Sequence, residues 1–160
     1  MPTNIKKIVA ILHFGGSTFR GTEACVVEAI NGFYEKNFDV ILLANNPDVI
    51  TEKLATPPKK TFSVNFPEIM WDDKFCFPIF KWFKALFRLR KLLISERPSV
   101  ILASGGLPNQ LGLPVARLLR IPIAVHFHHP APKRYFYFWL LPWSDRIIVP
   151  SQHTSAVVKE

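Results

Sequence analysis

The side chains of this chain best suited to chemistry fall in three short stretches: Gly15-Gly16, Ser104-Gly105-Gly106 and His126-Phe127-His128-His129-Pro130. Three imidazoles in four positions invite a metal ion. No carboxylate or cysteine accompanies them at helical spacing, and neighbours on an extended segment point opposite ways, so at most two could converge on one ion. The metal reading is therefore set aside. His126 closes an apolar run and is the catalytic candidate, a hydrogen-bond donor to a hydroxyl or a phosphate whose protonation is tuned near neutral pH. By themselves, His128 and His129 read as loop packing. The segment Gly15 to Thr22 joins an apolar run to a helical pattern. Backbone N–H groups at such a junction lack partners, so the loop is a natural receptor for an oxyanion or a hydroxyl.

Several chemistries are absent. No G-K-[ST] occurs, the first loop is not G-x-G-x-x-G, and Ala44-Asn45-Asn46 stands where a ribose-binding carboxylate would close the second strand. Neither Ser17 nor Ser104 lies in the G-x-S-x-G of a hydrolase elbow.

The elements that must hold these residues follow from hydrophobic period. Ile8 to Leu12 is a short, branch-rich run suited to a strand buried on both faces. Val26, Val27, Ile30, Phe33 and Tyr34 then mark a helix face, with Glu23, Glu28, Asn31 and Glu35 assigned to the opposite side. Asn37 is placed to end that helix with positive φ. Strands are expected at Val40 to Ala44, Thr61 to Phe66 (near an edge, since Pro67 follows), Val100 to Ala103, Ile121 to Val125 and Asp145 to Val149. Helices are expected at 48–55, from Pro78 to Glu96, from Pro108 to Arg120, and within Lys133 to Trp143. The alternation predicts one α/β domain, a Rossmann-like, doubly wound parallel sheet. Its ligands would bind outside the strand C-termini, with Gly16, Gly106 and His126 along one rim.

A chain of 160 residues is long enough to bury roughly 68–70% of its unfolded surface. Lys and Arg number 20 against 12 acidic residues, a formal charge of +8, so the expected partner is anionic: phospholipid, nucleotide or nucleic acid. Cys25 and Cys76 show no metal spacing and read as reduced thiols of a cytoplasmic protein. No run is long enough to span a bilayer, and no signal-peptide pattern is expected at the N-terminus.

The segment from Pro78 to Glu96 is strongly amphipathic. At 100° per residue from Lys81, the side chains of Lys84, Arg88 and Lys91 fall at about 300°, 340° and 280°, while apolar residues cover about 220°. That arc is wider than a core-facing helix needs. Trp82 and the phenylalanines beside Lys81, Lys84, Arg88 and Lys91 suit a helix lying in a headgroup layer; the alternative is a deeply buried helix with one solvated edge. Single-stranded nucleic acid is set aside, because the aromatic residues ride a helix rather than a strand platform.

Together these stretches resemble the N-terminal domain of GT-B fold glycosyltransferases of the family-4 type, which include Alg2-like and Alg11-like mannosyltransferases. The likeness rests on Gly15-Gly16 followed by Gly21-Thr22-Glu23-Ala24, on His126 with Pro130 close behind, and on the closing SDRIIVPSQHTSAVVKE, Ser144 to Glu160.

The resemblance implies half of a retaining transferase that moves a sugar from a nucleotide-diphosphate donor to an acceptor, often lipid-linked. It needs no other cofactor. It implies that Gly15, Gly16, Gly21 and Thr22 lie near the transferred sugar and diphosphate, and that His126 contacts that sugar. Arg20, Ser104, Gly105, Gly106, His128 and Ser151 would form the acceptor wall. The helix from Pro78 would rest on the cytoplasmic face of a membrane. Two departures stand out: Ser17 to Gly21 lengthen the gap between the glycine pair and Glu23, and no two glutamates stand eight apart. The Glu-x7-Glu donor motif is thus expected in a separate C-terminal domain or subunit, without which the chain would be inactive. The competing reading is a non-catalytic membrane-surface module of the same fold.

Overall fold

A computed structural model describes residues 6–67, 78–128 and 133–151. Cys76, His129, Pro130 and the closing segment 152–160 lie outside the described residues. Branched apolar runs become six strands, β1 (Ile8–His13), β2 (Asp39–Ala44), β3 (Lys60–Ser63), β4 (Val100–Ser104), β5 (Ile123–His126) and β6 (Arg146–Ile148). Every pairing is parallel, in the order β3-β2-β1-β4-β5-β6. The predicted sheet is therefore present. The winding reverses between β1 and β4, and a doubly wound sheet opens its crevice at that reversal.

Helix α1 (Gly21–Glu35) and the short α2 (Asp48–Thr51) cover one face, where Val26, Ile30 and Ile50 pack with Val9, Ile11, Val40 and Leu42. The other face carries α3 (Ile79–Glu96) and α4 (Gly106–Leu119), whose Leu89, Leu93, Leu111 and Ala116 meet Ala10, Leu12, Ile41 and Ile101. Full burial of a leucine contributes about 1.5–3 kcal/mol. The aromatic segment forms α5 (Lys133–Phe138) and a 3-10 turn at Leu141–Trp143, containing Pro142.

Asn37 ends α1 at φ 60°, as its position predicted, and Arg97 ends α3 at φ 49° before Pro98. β5 ends on His126 as expected, while two strands run further at their C-termini than hydrophobicity alone marked, to His13 and Ser104. The reason is hydrogen bonding: a ladder continues as long as its neighbours do, whatever the polarity of the side chain. β3 is an edge strand as expected but stops at Ser63, short of Phe66.

Candidate functional site

The last residues of all six strands lie side by side across the sheet, Ser63 beside Ala44, Ala44 beside His13, His13 beside Ser104, Ser104 beside His126 and His126 beside Ile148. Because side chains alternate along a strand, this register turns the whole row toward the α1 face. His13 thereby meets Glu23 in the first turn of α1. Its Nε2 is 3.3 Å from Glu23 Oε1, and its Nδ1 is 3.1 Å from Ser104 Oγ. Ser104 Oγ is also 2.9 Å from His128 Nε2. The rings of His126 and His128 stand 4.2 Å apart.

Proton positions follow from chemistry. Burial pushes the His13 imidazole below its ordinary range, against the opposing hydrogen bond and charge of Glu23. Burial would raise Glu23, but hydrogen bonds from backbone N–H, Thr22 and His13 hold it below the usual carboxylate range. The pair is thus a neutral ring donating to an anion rather than two opposed charges. Glu23 Oε2 accepts from Arg20 N–H at 3.0 Å and from Thr22 Oγ at 3.0 Å. An acidic residue at this helical position commonly reaches back to the cap N–H.

Glu23, expected on the solvated side of α1, is 2% exposed. The period itself turns Glu23 inward, since at 100° per residue Val26, Val27 and Ile30 fall within about 60° of it; its charge suggested the solvated side, and the carboxylate is instead satisfied under the glycine loop by His13. That same pair explains Gly15: a Cβ there would collide with Glu23 Oε1 and His13 Nε2.

The glycine loop is pinned from β2. Gly15 N–H donates to Asn45 Oδ1 at 2.9 Å, and Gly15 O accepts from Asn45 Nδ2 at 2.7 Å. Asn46 Nδ2 donates to Gly15 O and Gly16 O at 3.2 and 3.1 Å. The expectation of an unpaired amide receptor therefore fails at Gly15, whose N–H is committed. The loop instead walls a 660 Å³ cavity with Arg20, Thr22, Asn45, Asn46 and Asn65.

A 260 Å³ cavity adjoins it, lined by Ser104, Gly105, Gly106, His128, Phe127 and Trp139; Phe14 and Thr22 line both. Gly106 is glycine because a Cβ would strike the Trp139 indole. That turn is fixed from α4, where Asn109 Nδ2 and Gln110 Nε2 each donate at 2.9 Å, to Trp139 O and Phe138 O.

Of the residues singled out by sequence, Gly15, Gly16, Arg20, Thr22, Ser104, Gly105, Gly106 and His128 meet in this double cavity. His126 shares the rim but lines neither cavity; it heads a 690 Å³ apolar groove beside α1 with Cys25, Ala29, Leu102 and Ile148. Desolvation there lowers its pKa and keeps it neutral. Gly21 and Ser151 are exposed and also line neither cavity. Sequence reasoning missed His13, Glu23, Asn45, Asn46 and Trp139 as site residues. One signal was available: His13, like His126, ends an apolar run.

On α3 the excess apolar arc is exposed. Phe80 is 88% exposed and Phe87 62%, with Phe83 and Ile94 beside them. Only Ala85, Leu89 and Leu93 are buried, so the deeply buried alternative does not hold. Trp82, expected on the membrane surface, is half-buried against the core. Lys81, Lys84 and Arg88 line a 570 Å³ groove facing Asn65 and Phe66, while Lys91 is exposed. Among the described residues no helix is long and apolar enough to cross a membrane.

MurG from Acinetobacter baumannii superposes with a TM-score of 0.69 at 15% identity, over 92% of this chain and 42% of that one. HepE from Anabaena, in complex with UDP-glucose, gives 0.68 at 12%, over 95% and 40%. UDP-N-acetylglucosamine 2-epimerase from Rickettsia bellii gives 0.61 at 17%, over 96% and 41%. At these identities the likeness shows the fold, half of a GT-B architecture, and the chain spans about two fifths of each structure. No curated protein matches the sequence. The model of Glycosyltransferase Family 4 matches residues 19–160.

Proposed function

The chain belongs to Glycosyltransferase Family 4, and from that premise we propose that it forms the acceptor-side wall of a retaining glycosyltransferase using a nucleotide-diphosphate sugar. One observation carries the reading: the glycine-loop cavity and the Ser104–His128 cavity share Phe14 and Thr22, making one groove along the strand C-termini. That is where an open α/β sheet receives ligands. HepE is similar in fold and holds UDP-glucose, which supports a nucleotide sugar as co-substrate here. The second wall, carrying Glu-x7-Glu, comes from a C-terminal domain or a separate subunit. Support for the leaving diphosphate has to come from both walls, so these 160 residues alone do not turn over.

The exposed Phe80, Phe83, Phe87 and Ile94, flanked by Lys84 and Lys91, favour a peripheral seat for α3 on an anionic bilayer, which the proposal sets at the cytoplasmic face. A lipid-linked acceptor fits that seat. A hexose is the transferred sugar, mannose being the first to test.

The test is reconstitution. The purified chain is incubated with labelled nucleotide hexoses and a membrane lipid extract, with and without a polypeptide bearing Glu-x7-Glu. Transfer is expected only when both are present. Transfer by the chain alone would overturn the two-wall reading.

A further inference from the structure

The Ser104 hydroxyl has one proton, and its destination decides what the 260 Å³ cavity receives. A carboxylate only accepts, so the Glu23 contact places the His13 proton on Nε2. The bare Nδ1 then accepts from Ser104 Oγ–H at 3.1 Å. With that proton turned inward, Ser104 offers lone pairs alone, one of which takes His128 Nε2–H at 2.9 Å.

The rest of the cavity agrees. Neither lysine nor arginine lines it among the described residues, and Phe14, Phe127 and Trp139 supply apolar faces. The amide of Gly105, at the α4 N-terminus where an anion would otherwise be welcome, already donates to His126 O at 2.9 Å.

We propose that His13 is a positioning residue that commits the Ser104 proton inward, so that this cavity takes a neutral polyhydroxyl group by accepting its hydroxyl proton. Resting on the acceptor-wall reading, this assigns the sugar ring of the ligand to the Ser104–His128 cavity and its phosphates elsewhere. A phosphate oxygen would set lone pair against lone pair at Ser104. Glu23, the most distant member, acts through His13.

Histidine-selective ¹⁵N labelling of the whole chain and long-range ¹H–¹⁵N correlation read each tautomer directly. At neutral pH the Nε2–H form of His13 should exceed the Nδ1–H form roughly tenfold or more, because only that form bonds the carboxylate. Ser104→Ala should shift His13 Nδ1 toward an unbonded nitrogen, and Ser104→Thr should restore it. Adding methyl glucoside should move the His128 Nε2 and His13 Nδ1 signals, while dimethyl phosphate, an anion with no P–OH left to donate at neutral pH, should not. An Nδ1–H or doubly protonated His13 overturns the proposal, as does glucoside leaving both signals unmoved or dimethyl phosphate moving them equally. Tautomer spectra need no turnover, so a failed reconstitution would sink the transferase reading and leave this result standing.

Discussion

His13 and Glu23, both 2% exposed and 3.3 Å apart, join the end of the central strand to the first turn of α1 directly beneath the glycine loop. The loop, the strand and the helix therefore share one buried contact. Disturbing it moves all three.

Gly15→Ala places a methyl against both partners of that contact. Overpacking of this kind costs about 1–3 kcal/mol. A urea unfolding midpoint should fall accordingly, whereas Gly16→Ala, where a Cβ meets only the Thr18 amide at 3.9 Å, should be far milder. Equal stability of Gly15→Ala and the parent would contradict the geometry.

Acid should destabilise the fold in two stages. His13 is depressed below its ordinary 6.5, so the unfolded chain binds more protons there. The stability from its neutral form is complete above that value and is lost as pH falls toward the folded pKa. Glu23 is depressed below its ordinary 4.5 and adds a later loss of the same sign. Urea titrations from about pH 7 to about pH 5 should show the first stage, with a flatter profile in His13→Gln. A parent profile without slope in that range would contradict it.

Asn45 donates to and accepts from Gly15. Removing a partner from a part-buried amide costs about 1–3 kcal/mol. Asn45→Ala should therefore lower the unfolding midpoint and speed hydrogen exchange at the Gly15 amide. Unchanged exchange would show that the loop is held by something else.

For α3, each cation near an anionic bilayer contributes about 1 kcal/mol, so Lys84→Glu with Arg88→Glu should weaken vesicle binding by on the order of thirtyfold or more. Phe83→Ser with Phe87→Ser should weaken binding to neutral vesicles too, because those rings are exposed. Co-sedimentation separates the two contributions. Undiminished binding in both variants would remove the membrane seat.

Much of the architecture was legible in the chain. The run Ile8 to Leu12 reads as a doubly buried strand and became the centre of the sheet, and Pro67 correctly marked a nearby edge. Asn37 showed where α1 stops because a short polar side chain tolerates positive φ. Glu23 misled through its charge, not its position: the 100° period sets it in line with Val26, Val27 and Ile30, and what the spacing leaves out is the histidine ten residues earlier that satisfies a buried carboxylate there.

The amino-acid sequence alone determined the alternation of strands and helices, the parallel sheet, the gathering of Gly16, Gly106 and His126 at one rim, and an α3 whose apolar arc exceeds what a core needs. These follow from local periodicity and short-range sterics, which are written in neighbouring residues. Only the tertiary structure decided that His13 and Ser104 stand abreast, that His126 turns to the apolar groove, and that Lys81, Lys84 and Arg88 line a groove facing Asn65 and Phe66. Those depend on register between strands far apart in the chain, where a shift of one residue sends a side chain to the other face of the sheet.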